Sequence, residues 1–144
     1  MWRIALTMVL GLLLAVPGGC GIIGGMDIAT EGPLHDRLRE LSSTGGSAAL
    51  ADLTDFEWDT VYVFGEGTRA EEINDAVGTT VLRVQDRYYS AGNLLVFSSH
   101  GKAVYAADVV PDILVTGGDT EWGAGTRLEP RGDRTPAALR LVAP

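Results

Sequence analysis

One cysteine, Cys20, stands in the whole chain, so no disulfide forms within it and no cysteine cluster holds a metal. Histidine is nearly as scarce: His35 and His100 are the only two, with no His-x-x-x-His pair to suggest zinc. Lys and Arg number 11 against 19 acids and never cluster. That balance argues against a nucleic-acid partner and against an electrostatic grip on anionic lipid, both of which need basic patches. No apolar run is long enough to span a bilayer comfortably; the stretch from Ile4 to Val16 holds thirteen residues. Internal repeats and heptads are missing too. What the chain has in quantity is glycine, 19 of 144 residues, and an apolar share of 46% that suffices for one packed core.

The first twenty residues read Met1-Trp2-Arg3, the apolar run, then Pro17-Gly18-Gly19-Cys20. A short basic start, an apolar stretch and small residues form a signal-peptide pattern. Its end resembles the lipobox of bacterial lipoproteins, with Pro17 where that family usually carries an aliphatic residue. The resemblance implies that residues 1–19 are a leader and that Cys20 becomes a lipidated N-terminus carrying fatty acyl chains such as palmitate. Residues 20–33 are then expected to be a flexible spacer and residues 34–144 a single domain. Such a chain is exported and anchored to the outer face of the cell membrane or another envelope membrane, because two acyl chains hold a protein without a spanning helix. Loss of residues 1–19 removes Arg3 and no acid, taking the formal charge from -8 to -9.

Leu34, Leu38 and Leu41 fall at helical spacing after Pro33, which predicts an amphipathic helix over 34–43. A flexible linker follows over 42–47, then an apolar stretch, 48–53, suited to a helical turn. Residues 56–64 are β-branched and aromatic and read as an inner strand. Thr68-Arg69-Ala70-Glu71 reads as a capping box opening a helix with Ala70, Ile73 and Val77 inward and Gly78 as its stop. Strands are expected over 79–84, 94–99, 102–110 and 113–116, the middle two joined by a two-residue turn at His100-Gly101. Polar or glycine-rich loops cover 86–93 and 117–125, and two weak strands, 126–129 and 138–142, close the chain. The order predicts an α+β domain: an antiparallel β-sheet of about five to six strands, mostly a meander, with two helices packed on one face.

The strand Phe56-x-Trp58-Asp59-x-Val61-Tyr62-Val63-Phe64 and the later Leu94-Leu95-Val96-Phe97 resemble small exported bacterial lipoproteins of unknown function, over roughly residues 53–110. The resemblance implies no activity. Asp52, Asp55, Glu57 and Asp59 form an acidic run, read here as a solvated edge with Asp59 suited to capping a turn. An envelope hydrolase using Asp55, Glu57 and Asp59 is the competing class, and a structural tether a third. No calcium loop is present. Gly65-Glu66-Gly67 before a helix invites comparison with a phosphate loop, but Glu66, Glu71 and Glu72 would repel phosphate, so no cofactor is expected. Arg131-Gly132-Asp133 reads as a polar turn, and both histidines as exposed polar residues. The leading expectation is a module that binds a protein or envelope component through a sheet face and loops bearing Tyr88, Tyr89 and Trp122, since aromatics give contact area at little entropic cost.

Overall fold

A computed structural model describes residues 25–83 and 86–144; the expected leader, Cys20 and the last residue of the expected 79–84 strand lie outside the described residues. In chain order the elements are β1 (Ile28–Ala29), α1 (Pro33–Thr44), β2 (Ala48–Ala49) and a 3-10 turn (Leu50–Leu53). They continue with β3 (Thr60–Phe64), α2 (Ala70–Val77), β4 (Asn93–Ser99), β5 (Lys102–Val109), β6 (Leu114–Val115), β7 (Glu121–Gly123), β8 (Arg127–Pro130) and β9 (Leu139–Val142).

The chain is α+β as expected, but the single antiparallel sheet is not what forms. Among the described residues there are two mixed sheets, one of five strands in the order β1-β5-β4-β3-β7 and one of four in the order β2-β8-β9-β6. The pairs β1 with β5 and β6 with β9 are parallel. Nor do both helices share a face. Side chains alternate across a strand, and β3 and β4 are apolar on both sides. Val61, Val63, Leu95 and Phe97 join Leu34 and Leu38 of α1 and Leu128, Leu139 and Leu141 of the smaller sheet in one core. Phe64, Leu94 and Val96 join Ile73 and Val77 of α2, with Val81 and Tyr88, in a second core on the opposite face. Two apolar faces demand two covers, so the helices part and the closing strands build a sheet of their own.

Local signals hold where they depend on backbone conformation. Pro33 opens α1, while Gly45 and Gly78 end the helices at φ 65° and 75°. The β4–β5 turn is His100-Gly101 with φ 52° and 76°, the paired left-handed conformation of a tight type I′ hairpin. The capping box does not form. Thr68 Oγ1 donates to the Gly65 carbonyl at 2.7 Å, and the first helical N–H, that of Ala70, donates to the Asp86 carbonyl at 2.8 Å. The crossing backbone of Asp86 to Tyr88 thus replaces the side-chain cap, the Tyr88 N–H donating in turn to the Thr68 carbonyl at 2.9 Å. Residues 79–83 form no strand; Asn74 holds them instead, its Oδ1 accepting from the Val81 and Leu82 N–H groups at 2.7 and 3.0 Å.

Part of the expected 20–33 spacer is built into the domain. Met26 N–H donates to the Val81 carbonyl at 2.8 Å, Ile28 and Ala29 pair with Ala106 and Ala107, and Met26 and Ile28 pack on the second core. His35, expected on the surface, is 3% exposed. Its Nε2 donates to the Asp108 carbonyl at 2.8 Å. Pairing of β1 with β5 stops at Ala107, so the histidine supplies the donor that the next carbonyl of the sheet edge would otherwise lack.

Candidate functional site

Six residues separate the 3-10 turn from β3, and the last four of them, Phe56 to Asp59, cross the mouth of the first core. Phe97, fully buried, sits beneath them. Its ring meets Phe56 at 5.3 Å and Trp58 at 5.2 Å, both edge-on, and Tyr105 at 6.1 Å. Edge-to-face packing of this kind fixes ring positions as well as burying area. Trp58 Nε1 donates to Thr54 Oγ1 at 3.0 Å, which ties the 3-10 turn to the aromatic cluster.

Above this floor lies a cleft of about 340 Å³, open to solvent, between the 3-10 turn and the tip of the β4–β5 hairpin. It is lined by Ala51 and Thr54 from the side of the 3-10 turn, by Phe56, Glu57, Trp58 and Asp59 from the approach to β3, and by Ser99 and His100 from the hairpin. Sequence reasoning singled out Glu57 and Asp59 but did not place Ser99 and His100 beside them. The only signal was the hairpin turn, which fixes His100 opposite the start of β3 once Thr60 pairs with Ser98. Asp55, the third of the expected acids, is absent from the cleft wall and pairs with Arg37 at 2.9 Å.

The wall residues are bound to one another in a particular way. Asp59 Oδ2 accepts from the backbone N–H of His100 at 2.7 Å, Asp59 Oδ1 accepts from Thr60 Oγ1 at 3.0 Å, and Asp59 N–H donates to the Ser98 carbonyl at 2.9 Å. Ser99 Oγ lies 3.0 Å from His100 Nδ1. A hydrolytic triad requires the carboxylate to orient the imidazole. Here it is spent on the main chain of the turn, holding His100 in its left-handed conformation. The carboxylate is a cap for the hairpin, the role its place beside a large apolar residue suggested.

Those bonds have a measurable consequence. The His100 N–H, then the Thr60 hydroxyl, hold the Asp59 carboxyl below the usual carboxylate range. A carboxylate with a depressed folded pKa contributes its stability above the unfolded value, and that contribution is lost as pH falls through the folded one. Carboxyl carbon resonances followed by NMR should therefore show Asp59 titrating at lower pH than an unfolded-chain aspartate. In Asp59→Asn the acid limb of hairpin opening, read by His100 and Gly101 amide exchange, should disappear. Ordinary titration of Asp59 would contradict the capping role.

The aromatics expected to meet a partner do not form one surface. Tyr88 is 4% exposed and belongs to the second core, where burial, with the nearby Asp108 carboxylate, raises its phenol above the tyrosine range against a smaller opposing effect of Ser90. Tyr89, its neighbour, is 77% exposed. Trp122 lies half-buried on edge strand β7, packed against the first core, with Nε1 donating to the Asp119 carbonyl at 3.2 Å. Tyr89 alone keeps the free ring that the loop reading requires. Among the described residues no group of three potential metal ligands occurs, and no helix is long and apolar enough to cross a membrane. The chain matches no protein-family model, no curated protein and no solved structure.

Proposed function

We propose that the protein is an extracytoplasmic module, lipid-anchored through Cys20, that binds a protein or an envelope component in the cleft between the 3-10 turn and the hairpin tip. The observation that carries the reading is the cleft's construction: an aromatic floor fixed from below, a carboxylate wall, and an open mouth. Aromatic faces flanked by carboxylates favour a cationic group, since the ring quadrupole and the acids attract the same charge. An amine-bearing or basic segment is therefore the ligand chemistry that fits. The hydrolase reading is the weaker one because Asp59 is committed to the turn.

Capture of a partner from membranes, by crosslinking to the full chain, tests the assignment. Ala51→Trp fills the cleft and Glu57→Arg reverses a wall charge, and both sites are exposed enough to leave folding intact. Each substitution should abolish capture while the circular dichroism spectrum is unchanged. Loss on Tyr89→Ala alone would move the binding surface to the 86–93 loop, and capture indifferent to all three would remove the binding reading.

A further inference from the structure

The geometry points to a defined orientation at the bilayer: the end of the five-stranded sheet that carries the β4–β5 hairpin tip faces the phospholipid headgroups, so that the cleft opens beside the membrane. This rests on the anchoring reading for Cys20. Its basis is where the tether joins the fold and how short it is.

Gly25 is wedged against backbone. A Cβ there would stand 2.0 Å from the Val81 carbonyl oxygen and 2.7 Å from its carbon, so only glycine permits the contact. The next residue, Met26, bonds to that same carbonyl at 2.8 Å. Asn74 of α2 in turn holds residues 81 and 82, so the point of attachment is fastened to a helix as well as to a sheet edge. From Cys20 to Gly25 the chain advances five residues, at most about 18 Å even when fully extended. Gly25 cannot lie farther than that from the lipidated sulfur's backbone.

Strand register then says which end of the domain is near. β1 runs parallel to β5 with Ile28 opposite Ala106, so residues before Ile28 run back toward the start of β5. Met26 and Ala103 accordingly pack on the same core, and the Ala103 N–H reaches Thr79 Oγ1 at 3.5 Å. The start of β5 is the hairpin tip. The cleft lies at this same end, on β3 and the end of β4. β1 and β3 are three strand spacings apart, about 14 Å. The lipid, the tip and the cleft therefore share one end of the sheet, while Val109, Tyr89 and the Pro111-Asp112 turn lie at or beyond the other. Along β5 the two ends are about 24 Å apart. Exposed Lys102 and the exposed side chain of Val104, 45% accessible, stand at the near end and meet the headgroup layer first.

The test uses the full, processed chain in vesicles of phosphatidylethanolamine and phosphatidylglycerol carrying a headgroup-attached acceptor dye. Because Cys20 is the only cysteine and its sulfur is blocked when lipidated, Lys102→Cys and Asp112→Cys each give one labelling site. Energy transfer to the bilayer should be several-fold stronger from position 102 than from position 112. Twelve Gly/Ser residues inserted between Cys20 and Gly25 should bring the two values together. Equal transfer without the insertion, or stronger transfer from 112, would overturn the orientation with the anchor intact. Mass spectrometry showing an unmodified Cys20 would instead bring down the anchoring reading, and the orientation with it.

Discussion

Phe97→Ala lowers stability by about 3–5 kcal/mol, the range for removing a fully buried phenylalanine and leaving a cavity. The ring is 0% exposed and touches three others, at 5.3 Å to Phe56, 5.2 Å to Trp58 and 6.1 Å to Tyr105. Phe56 and Tyr105 also stand 4.8 Å apart, so removal of Phe97 takes away the ring that both share. Native domains of this size hold about 5–15 kcal/mol in all, so the variant is left marginal or unfolded at growth temperature. Urea unfolding followed by tryptophan fluorescence reads the loss directly, since Trp58 reports on the affected cluster. Phe97→Leu keeps most of the volume and should cost about 1–2 kcal/mol. The pair also separates stability from function: in Phe97→Leu the fold survives while the cleft floor loses its edge-on support. Partner capture should then fall further than the small stability loss would cause. A loss under about 1 kcal/mol for Phe97→Ala would mean that the aromatic cluster is not the centre of the larger core.

Much of this was visible in the chain, and the remainder has identifiable physical causes. Pro33, Gly45, Gly78 and His100-Gly101 act through local backbone preferences, so the ends of α1, the stop of α2 and the tight hairpin could be read without tertiary knowledge. Val61 and Val63 on one side of β3, with Phe64 on the other, likewise announced an inner strand. The second sheet was not legible as a sheet of its own: β2 is two residues long, too short for alternation to register, and β6, β8 and β9, though expected as strands, carry no local signal of which strand each pairs with. Residues 79–83 have strand composition, yet Asn74 takes their N–H groups, a contact seven or eight residues away that no window of periodicity detects. His35 sits among charges on a helix that looks solvated, and only the Asp108 carbonyl of β5, one residue past the pairing with β1, gives it a reason to be buried. In the candidate site, Asp59 could be read as a cap because its neighbour is a large apolar residue. That His100 would be its partner depends on the register of β3 against β4, set by packing on both faces of the sheet.

The other large effect concerns a residue that composition alone would dismiss. Gly92→Ala should cost about 3 kcal/mol, at the upper end of what overpacking a tight site does. A Cβ at position 92 would stand 1.9 Å from Asp108 Oδ1 and 2.9 Å from the Val109 carbonyl oxygen. The second contact is with the backbone of β5, where Asn93 pairs with Val109, so the methyl cannot be accommodated by rotating one side chain. The carboxylate is constrained as well, because Ser90 Oγ donates to Asp108 Oδ2 and the Gly92 N–H donates to Ser90 Oγ at 3.3 Å. Serine, glycine and aspartate thus close the 86–92 loop onto the far end of the sheet, over Tyr88. Thermal unfolding of Gly92→Ala, Asp108→Ala and the double variant forms a cycle that tests this directly. Deleting the carboxylate opens room for the methyl, so the double variant should be more stable than the sum of the single losses implies, by about 1–2 kcal/mol. Full additivity would show that the clash is with the Val109 carbonyl alone. Gly65→Ala is the control: nothing lies within 4 Å of its Cβ position, and it should fall within about 1 kcal/mol of wild type on the stabilising side. Since Tyr89 is carried on the same loop, Gly92→Ala should also speed amide exchange over 86–92 while leaving the cleft, at the opposite end of the sheet, able to bind.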